Sequence, residues 1–334
     1  MADIAVLGSG GWGTALAVAL CARHTVSLWS PFSEEVAALR RDRAQPKLLP
    51  GITLDPAIRI TDDLGCVRQA DMAIIATPSF AVRETAARLR GVAPEGVVIV
   101  NVAKGIEDES LLRLSQVIEQ ELPGMQVASL SGPSHAEEVA KFVPTSLVAA
   151  SRDRRCAEFV QGLISSPALR VYTNDDVVGV ELGGALKNII ALAAGISDGL
   201  GLGDNTKAAL MTRGLSEIAR LGVQLGARQE TFAGLTGIGD LVVTCTSMHS
   251  RNRRFGILVG EGVPPQEALS RVGMTVEGYH AVKTARRLAM SCGVEMLIIE
   301  QCYRVLYEGA SARDAIRNLM GRPRKHEQEH PWIE

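Results

Sequence analysis

Ile4-Ala5-Val6-Leu7-Gly8-Ser9-Gly10-Gly11-Trp12-Gly13-Thr14-Ala15-Leu16-Ala17 decides the fold of this chain. A short β-rich run leads into GxGxxG, and an apolar helical run from Thr14 to Ala22 follows it. In such a unit the first glycine makes the tight turn, the second lets backbone approach a pyrophosphate, and the third allows close helix–strand packing. The amino end of the helix then faces the anion. A second strand-like run, Val26–Trp29, follows at the distance a βαβ unit requires. Gly8, Gly10, Gly11, Trp12 and Gly13 therefore read as the phosphate loop of a dinucleotide-binding domain.

Outward from this unit, Met72–Ala76, Val97–Asn101, Val127–Leu130, Thr145–Ala150 and Leu169–Thr173 are further strand-like runs separated by helical patterns. That alternation is the signature of a mostly parallel sheet wrapped by helices. After Val180 the texture changes to long Ala- and Leu-rich segments broken by glycines, which predicts a helical second half. The expected organisation is an α/β Rossmann-type domain over 1–178, an all-α domain over 179–325 and a poorly packed tail over 326–334. With no Pro/Ser linker between the halves, they should pack together around a ligand cleft.

Length and charge narrow the function. The 334 residues suit two domains. Lys plus Arg number 35 against 37 Asp plus Glu, and aromatics are only 4%, so nucleic acid and anionic lipid are not expected partners. The six cysteines are scattered without a CxxC pair, which points to reduced thiols in a cytoplasmic protein and to no metal framework. No uninterrupted apolar stretch approaches the roughly 20 residues that span a bilayer. Thr14–Ala22 imitates a signal-peptide core, but no basic residue precedes it and Asp3 stands where positive charge belongs, so export is not expected.

The choice of dinucleotide turns on the end of the second strand, Leu28-Trp29-Ser30-Pro31-Phe32-Ser33. An acid on the ribose hydroxyls marks NAD sites, and none stands here until Glu34. The reading favours NADP, with NAD possible, although Arg40, Arg41 and Arg43 lie further along.

In open α/β sheets ligands bind beyond the carboxyl ends of the strands. Thr77-Pro78-Ser79, Lys104-Gly105 and Gly132-Pro133-Ser134-His135-Ala136 occupy such positions. Lys104 can meet a carbonyl oxygen or a phosphate there. His135, at a helix start, reads better as a satisfied capping or surface histidine. In the helical half, Lys187 sits in the otherwise small and apolar Glu181–Ile190, where burial would lower its pKa toward acid–base use. Gly183 and Gly184 should leave space beside it for a substrate or cofactor ring. Asp240, after Gly237-Ile238-Gly239, reads equally as a polarising group or a turn aspartate. Ser250-Arg251-Asn252 reads as an N-cap and helix start suited to a phosphate.

Together these motifs resemble the bacterial-type NAD(P)-dependent sn-glycerol-3-phosphate dehydrogenases over nearly the whole chain. The resemblance runs through Gly8–Ala17, Lys104-Gly105-Ile106-Glu107, Ser131-Gly132-Pro133-Ser134 and Gly184–Ala191. It is completed by Thr244-Cys245-Thr246 and Ser250–Gly256. It implies Lys187 as proton donor and acceptor, with Lys104, Gly132, Ser134, Asp240, Ser250, Arg251 and Asn252 around glycerol 3-phosphate. It further implies Gly11, Trp12, Pro31, Ala136, Thr275 and Glu277 at the cofactor, with Lys104 and Arg251 touching both ligands. A cytoplasmic homodimer reducing dihydroxyacetone phosphate reversibly for phospholipid synthesis is what the family suggests. Two positions depart from its pattern: Gly11 replaces a common Ser, and Pro31 a common Arg or His. The competing readings are a β-hydroxyacid dehydrogenase, which would prefer a carboxylate substrate, and a non-catalytic NAD(P) sensor.

Overall fold

The computed structural model describes residues 1–324 and Glu327. The expectation of a tail over 326–334 thus lies almost wholly outside the described residues. Among the described residues ten strands form in chain order: β1 (Asp3–Leu7), β2 (Thr25–Trp29), β3 (Ala44–Gln45), β4 (Leu49–Thr53), β5 (Arg59–Thr61), β6 (Met72–Ile75), β7 (Val98–Asn101), β8 (Gln126–Ser131), β9 (Thr145–Ala150) and β10 (Leu169–Asn174). Eight of them make one sheet in the order β10-β9-β8-β7-β6-β1-β2-β5, and β3 pairs with β4 as a separate antiparallel ribbon.

The sheet is parallel from β5 through to β8. β9 pairs antiparallel with β8, while β10 is parallel to β9, so this edge pair runs against the rest. Hydrophobic periodicity locates a strand but carries no direction, so the reversal was not legible. β5 has three residues and β3 two, too few to show a period.

Alternation along β1 sends Ile4 and Val6 into one apolar layer and Ala5 and Leu7 into the other, giving the sheet a core on each face. The chain leaves β1 toward β2 and returns to β6 on its other side. The resulting crevice opens beyond the carboxyl ends of β1 and β6. There Gly8 adopts φ +123°, and a Cβ on it would lie 2.7 Å from the Ala76 carbonyl oxygen. The following helix, Gly11–Cys21, starts inside the glycine motif, three residues before the sequence pattern placed it.

After β10 comes the central helix, Val177–Gly199. Its mean hydropathy of 1.6 and its length would suit a bilayer crossing, yet 94% of its most apolar stretch is buried by surrounding helices. It is the spine of a helical domain. Helix Arg251–Gly260 lies against it through glycines on both partners. A Cβ on Gly256 would sit 2.1 Å from the Leu192 carbonyl oxygen, and one on Gly195 would sit 2.1 Å from that of Arg253. Gly199 and Gly260 repeat the contact one turn on. Only hydrogen fits between backbones this close.

Replacing Gly256 with Val should therefore destabilise the protein by roughly 3 kcal/mol through overpacking. A thermal melt checks it: we expect Tm to fall by at least about 5 °C, and an unchanged melt would remove this contact from the argument.

Candidate active site

Three elements meet at one carboxylate. Asp240 is the first residue of helix Asp240–Thr246, which follows a π-helical turn over Leu235–Gly239. Its Oδ1 accepts from Lys187 Nζ at 2.5 Å, and its Oδ2 accepts from Lys104 Nζ at 2.7 Å. Lys187 comes from the middle of the central helix and Lys104 from the loop after β7. Lys187 also donates to Thr244 Oγ1 at 2.6 Å, and Lys104 donates to the Gly132 carbonyl at 3.0 Å. Thr244 in turn donates to the Asp240 backbone carbonyl at 2.6 Å. Each ammonium has three N–H groups, so each keeps one donor beyond those contacts among the described residues.

The electrostatics follow from burial and charge. Asp240 is 1% exposed; burial raises its pKa, but Lys104 and Lys187 outweigh that and hold it below its ordinary value. Burial pushes Lys187 down to about 8; Asp240 resists this, and the positive charge of Lys104 assists it. The sequence expectation of a buried, depressed lysine is met. The expected space at Gly183 and Gly184 is not. A Cβ on Gly184 would lie 2.8 Å from Ser131 Oγ and 3.6 Å from Lys104 Cγ, and one on Gly183 would lie 2.5 Å from the Thr236 carbonyl oxygen. These glycines admit the Lys104 side chain and the π-turn, not a ring.

The phosphate-suited start is also formed. Ser250 is an N-cap whose side chain accepts from Arg253 N at 3.2 Å, and Arg251 opens the helix with its side chain exposed. Asn252 is buried and points inward, donating to Asn188 Oδ1 at 3.0 Å and accepting from Gly278 N at 2.8 Å. It therefore ties the helix start to the residue beside Lys187. Gly132 takes φ +126°, and Ser134 Oγ donates to its carbonyl at 2.9 Å.

At the dinucleotide crevice, Ala136 faces the glycine loop, 3.8 Å from where a Gly11 Cβ would stand. The same Cβ would lie 2.9 Å from the Leu48 carbonyl oxygen, so Gly11 lets the β3–β4 ribbon close over the loop. Trp12 packs on the core beneath, and Pro31 is exposed at the end of β2. Glu277 accepts from Ser79 Oγ at 2.7 Å, linking the two domains, and Thr275 is half-buried in the loop before it. Gly10 is the open position, with nothing within 4 Å of where its Cβ would stand, while Gly8 and Gly13 pack tightly, a Gly13 Cβ lying 1.9 Å from the Gly8 carbonyl oxygen. An open backbone at a helix start fits a pyrophosphate.

Over residues 3–157 the chain matches the family model for the NAD-dependent glycerol-3-phosphate dehydrogenase N-terminus, and over 176–317 that for its C-terminus. The chain belongs to this family. It is 55% identical over 330 residues to a glycerol-3-phosphate dehydrogenase (NAD(P)+) of Moorella thermoacetica, covering 98% of both chains. To the protein of that name in Desulfitobacterium hafniense it is 52% identical over 328 residues, covering 98% of this chain and 93% of the relative. The solved glycerol-3-phosphate dehydrogenase of Coxiella burnetii superposes with a TM-score of 0.93 at 39% identity, over 96% of this chain and 99% of that one. The protein is thus an NAD(P)-dependent oxidoreductase.

Three residues near the candidate site differ from, or add to, what their sequence context suggested. Thr244 holds Lys187; it stood in a quoted motif, four residues after Asp240, a helical spacing that could have revealed it. Ser131 Oγ is buried without a partner among the described residues and, like the Lys104 stem, lies against Gly184. His135 corrects its reading as a satisfied residue: it makes no side-chain cap, and its Nε2 is buried without a hydrogen bond among the described residues.

Replacing Asp240 with Asn leaves two lysines facing each other without their shared anion. We expect a loss of about 3–5 kcal/mol in stability together with loss of turnover. Denaturant unfolding and steady-state rates check this, and a variant of wild-type stability would show the carboxylate to be dispensable.

Proposed function

We propose that this enzyme reduces dihydroxyacetone phosphate at C2 to sn-glycerol 3-phosphate, and runs the reaction in reverse. The observation that carries the reading is the pair of ammonium groups anchored on Asp240, with the Ser250-Arg251 helix start tied through Asn252 to Asn188, the neighbour of Lys187. When bound, the dinucleotide supplies the hydride that C2 accepts. Lys187 holds its proton at Nζ for the forming alkoxide, fixed by Asp240 and Thr244, and takes it back as base in oxidation. Lys104 polarises the same oxygen while Asp240 sets its position. Arg251, Ser250 and the helix start anchor the phosphate, and Asn252 fixes that start relative to Lys187. Binding energy from the phosphate is thereby used to orient C2.

Two further parts of the reading rest on family resemblance: a cytoplasmic homodimer, and supply of glycerol 3-phosphate to phospholipid synthesis. For the dinucleotide, the absence of an acid on β2 supports NADP, with NAD also used. One contact tempers that preference. Glu35, from the helix Ser33–Asp42, brings its carboxylate back to the end of β2, accepting from Ser30 Oγ at 2.7 Å and from Gln45 Nε2 at 3.2 Å. Gln45 also donates to the Ser9 carbonyl in the phosphate loop. A carboxylate so placed favours ribose hydroxyls and opposes a 2′-phosphate.

Loss of nicotinamide absorbance on adding dihydroxyacetone phosphate tests the reaction, with dihydroxyacetone as the phosphate-free control. Oxidation that ignores the phosphate would defeat the proposal, and turnover of a β-keto acid instead would favour the β-hydroxyacid alternative. Lys187→Ala should abolish turnover while dinucleotide binding persists; binding without turnover in the unaltered enzyme would favour a sensor. Because Lys187 titrates near about 8, the reduction rate should fall as pH rises through that value and the oxidation rate should climb. A profile flat across it would remove Lys187 as the proton carrier. Glu35→Gln should raise kcat/KM for NADPH relative to NADH by about tenfold, one lost charge repulsion of about 1.4 kcal/mol; an unchanged ratio would clear Glu35 of any part in the choice.

A further inference from the structure

We propose that Arg253 is a positioning residue: through Asp198 and the Thr246 carbonyl it sets where the Ser250-Arg251 helix start stands relative to the two lysines, and so how well the substrate phosphate is held. The role rests on the dihydroxyacetone phosphate reading above. Arg253 is the third residue of helix Arg251–Gly260, and its backbone N–H is already taken by the Ser250 cap. Its guanidinium reaches two other elements. Nε and Nη2 both donate to Asp198 Oδ2 at 2.8 Å. Nη1 donates to the Thr246 carbonyl at 2.7 Å and to Met248 Sδ at 3.1 Å.

Each of these partners belongs to an element that also carries the groups around Lys187. Asp198 stands in the last turn of the central helix, about three turns after Lys187. Thr246 ends the helix Asp240–Thr246, whose Asp240 and Thr244 receive Lys187. Only residues 247–250 join that helix to the next. One planar fork therefore holds three helices at a common point, a task for which a guanidinium is shaped and an ammonium is not.

Charge placement supports a role in position. Asp198 lies at the carboxyl end of its helix, and Lys207, which meets its Oδ1 at 2.7 Å, lies in the first turn of helix Asp204–Gln224. Each charge stands at the helix end whose dipole opposes it, so neither serves its own helix. Asp198 is shared between Lys207 and Arg253 as Asp240 is between Lys104 and Lys187. The Arg253, Asp198 and Lys207 side chains are 13%, 14% and 15% exposed, so these are not the solvent-screened pairs that contribute little. The glycine contacts bring Arg251–Gly260 close along the central helix. That smooth contact sets the separation of the two helices, and the fork at the amino end sets their register along the axis.

The test replaces Arg253 with Met, which keeps an apolar stem and leaves Asp198 paired with Lys207, so that no buried charge is orphaned. kcat/KM for dihydroxyacetone phosphate should fall about 10- to 100-fold, the worth of a charge-assisted hydrogen bond. That for dihydroxyacetone, which has no phosphate to hold, should move less than about threefold. Inorganic phosphate, used as a competitive inhibitor, should bind about tenfold more weakly or worse. The pH midpoint near about 8 set by Lys187 should stay in place. Arg253→Lys, which returns a charge to Asp198, should recover part of the loss. Phosphate inhibition that survives the substitution, equal losses on both ketones, a displaced midpoint, or a Lys variant no better than Met would overturn the role and leave Arg253 as a structural ion pair. Turnover of neither ketone by the unaltered enzyme would instead defeat the ketone-reducing reading, an outcome distinct from all of those.

Discussion

The Asp240 carboxylate is the constraint on which the site depends. It is buried, and a buried anion is tolerated only when paired and hydrogen-bonded. Its two cations come from different domains, Lys104 from the sheet and Lys187 from the central helix. Satisfying one carboxylate therefore fixes how the two domains meet. The central helix must then let the Lys104 stem and the π-turn come close, which explains Gly183 and Gly184 on the face that Lys187 shares. On its other side it must accept the Arg251–Gly260 helix, which explains Gly195 and Gly199. The run of small residues in this helix is a consequence of crowding on several faces at once.

A second buried bridge supports the first. Glu181, two turns before Lys187 on the same helix, accepts from Arg113 Nη1 at 2.6 Å and from Ser115 N at 2.8 Å. Ser115 lies in the first turn of helix Leu114–Glu121, so the carboxylate also meets the positive end of a helix from the sheet domain. Glu277 repeats the device against Ser79. Charged links of this kind constrain position more sharply than apolar contact does, because an ion left unpaired in the interior is costly.

Sequence reading reached the parts of this arrangement that are local. GxGxxG after a β-run, the N-cap at Ser250 and a lysine stranded among apolar residues each announce themselves within about ten positions. The relations between distant positions stayed hidden. Asp240 looked equally like a turn aspartate because its partners lie 53 and 136 residues away. The acid sought at the end of β2 arrives as Glu35 from the next helix, folded back by a hydrogen bond to Ser30 that no spacing rule anticipates. His135 was read as satisfied because histidines at helix starts usually are. Only the packing around Nε2 shows that this one is not.

Three buried ionisable groups in this molecule show how burial and charged partners compete to set protonation. Glu217 accepts from the backbone N–H groups of Leu297 and Ile298 and feels the charges of Arg220 and Arg322, yet burial still pushes it up to about 7. Asp240 is buried more deeply yet moves the other way, since two full positive charges face it. Lys187 lies between these cases: it has one anion, but that anion is shared. An undivided carboxylate would hold the lysine charged to higher pH, while no carboxylate at all would leave burial unopposed. Because Asp240 is divided between two lysines, it does not offset burial, and Lys187 comes down to about 8, the range that the proposed proton exchange requires.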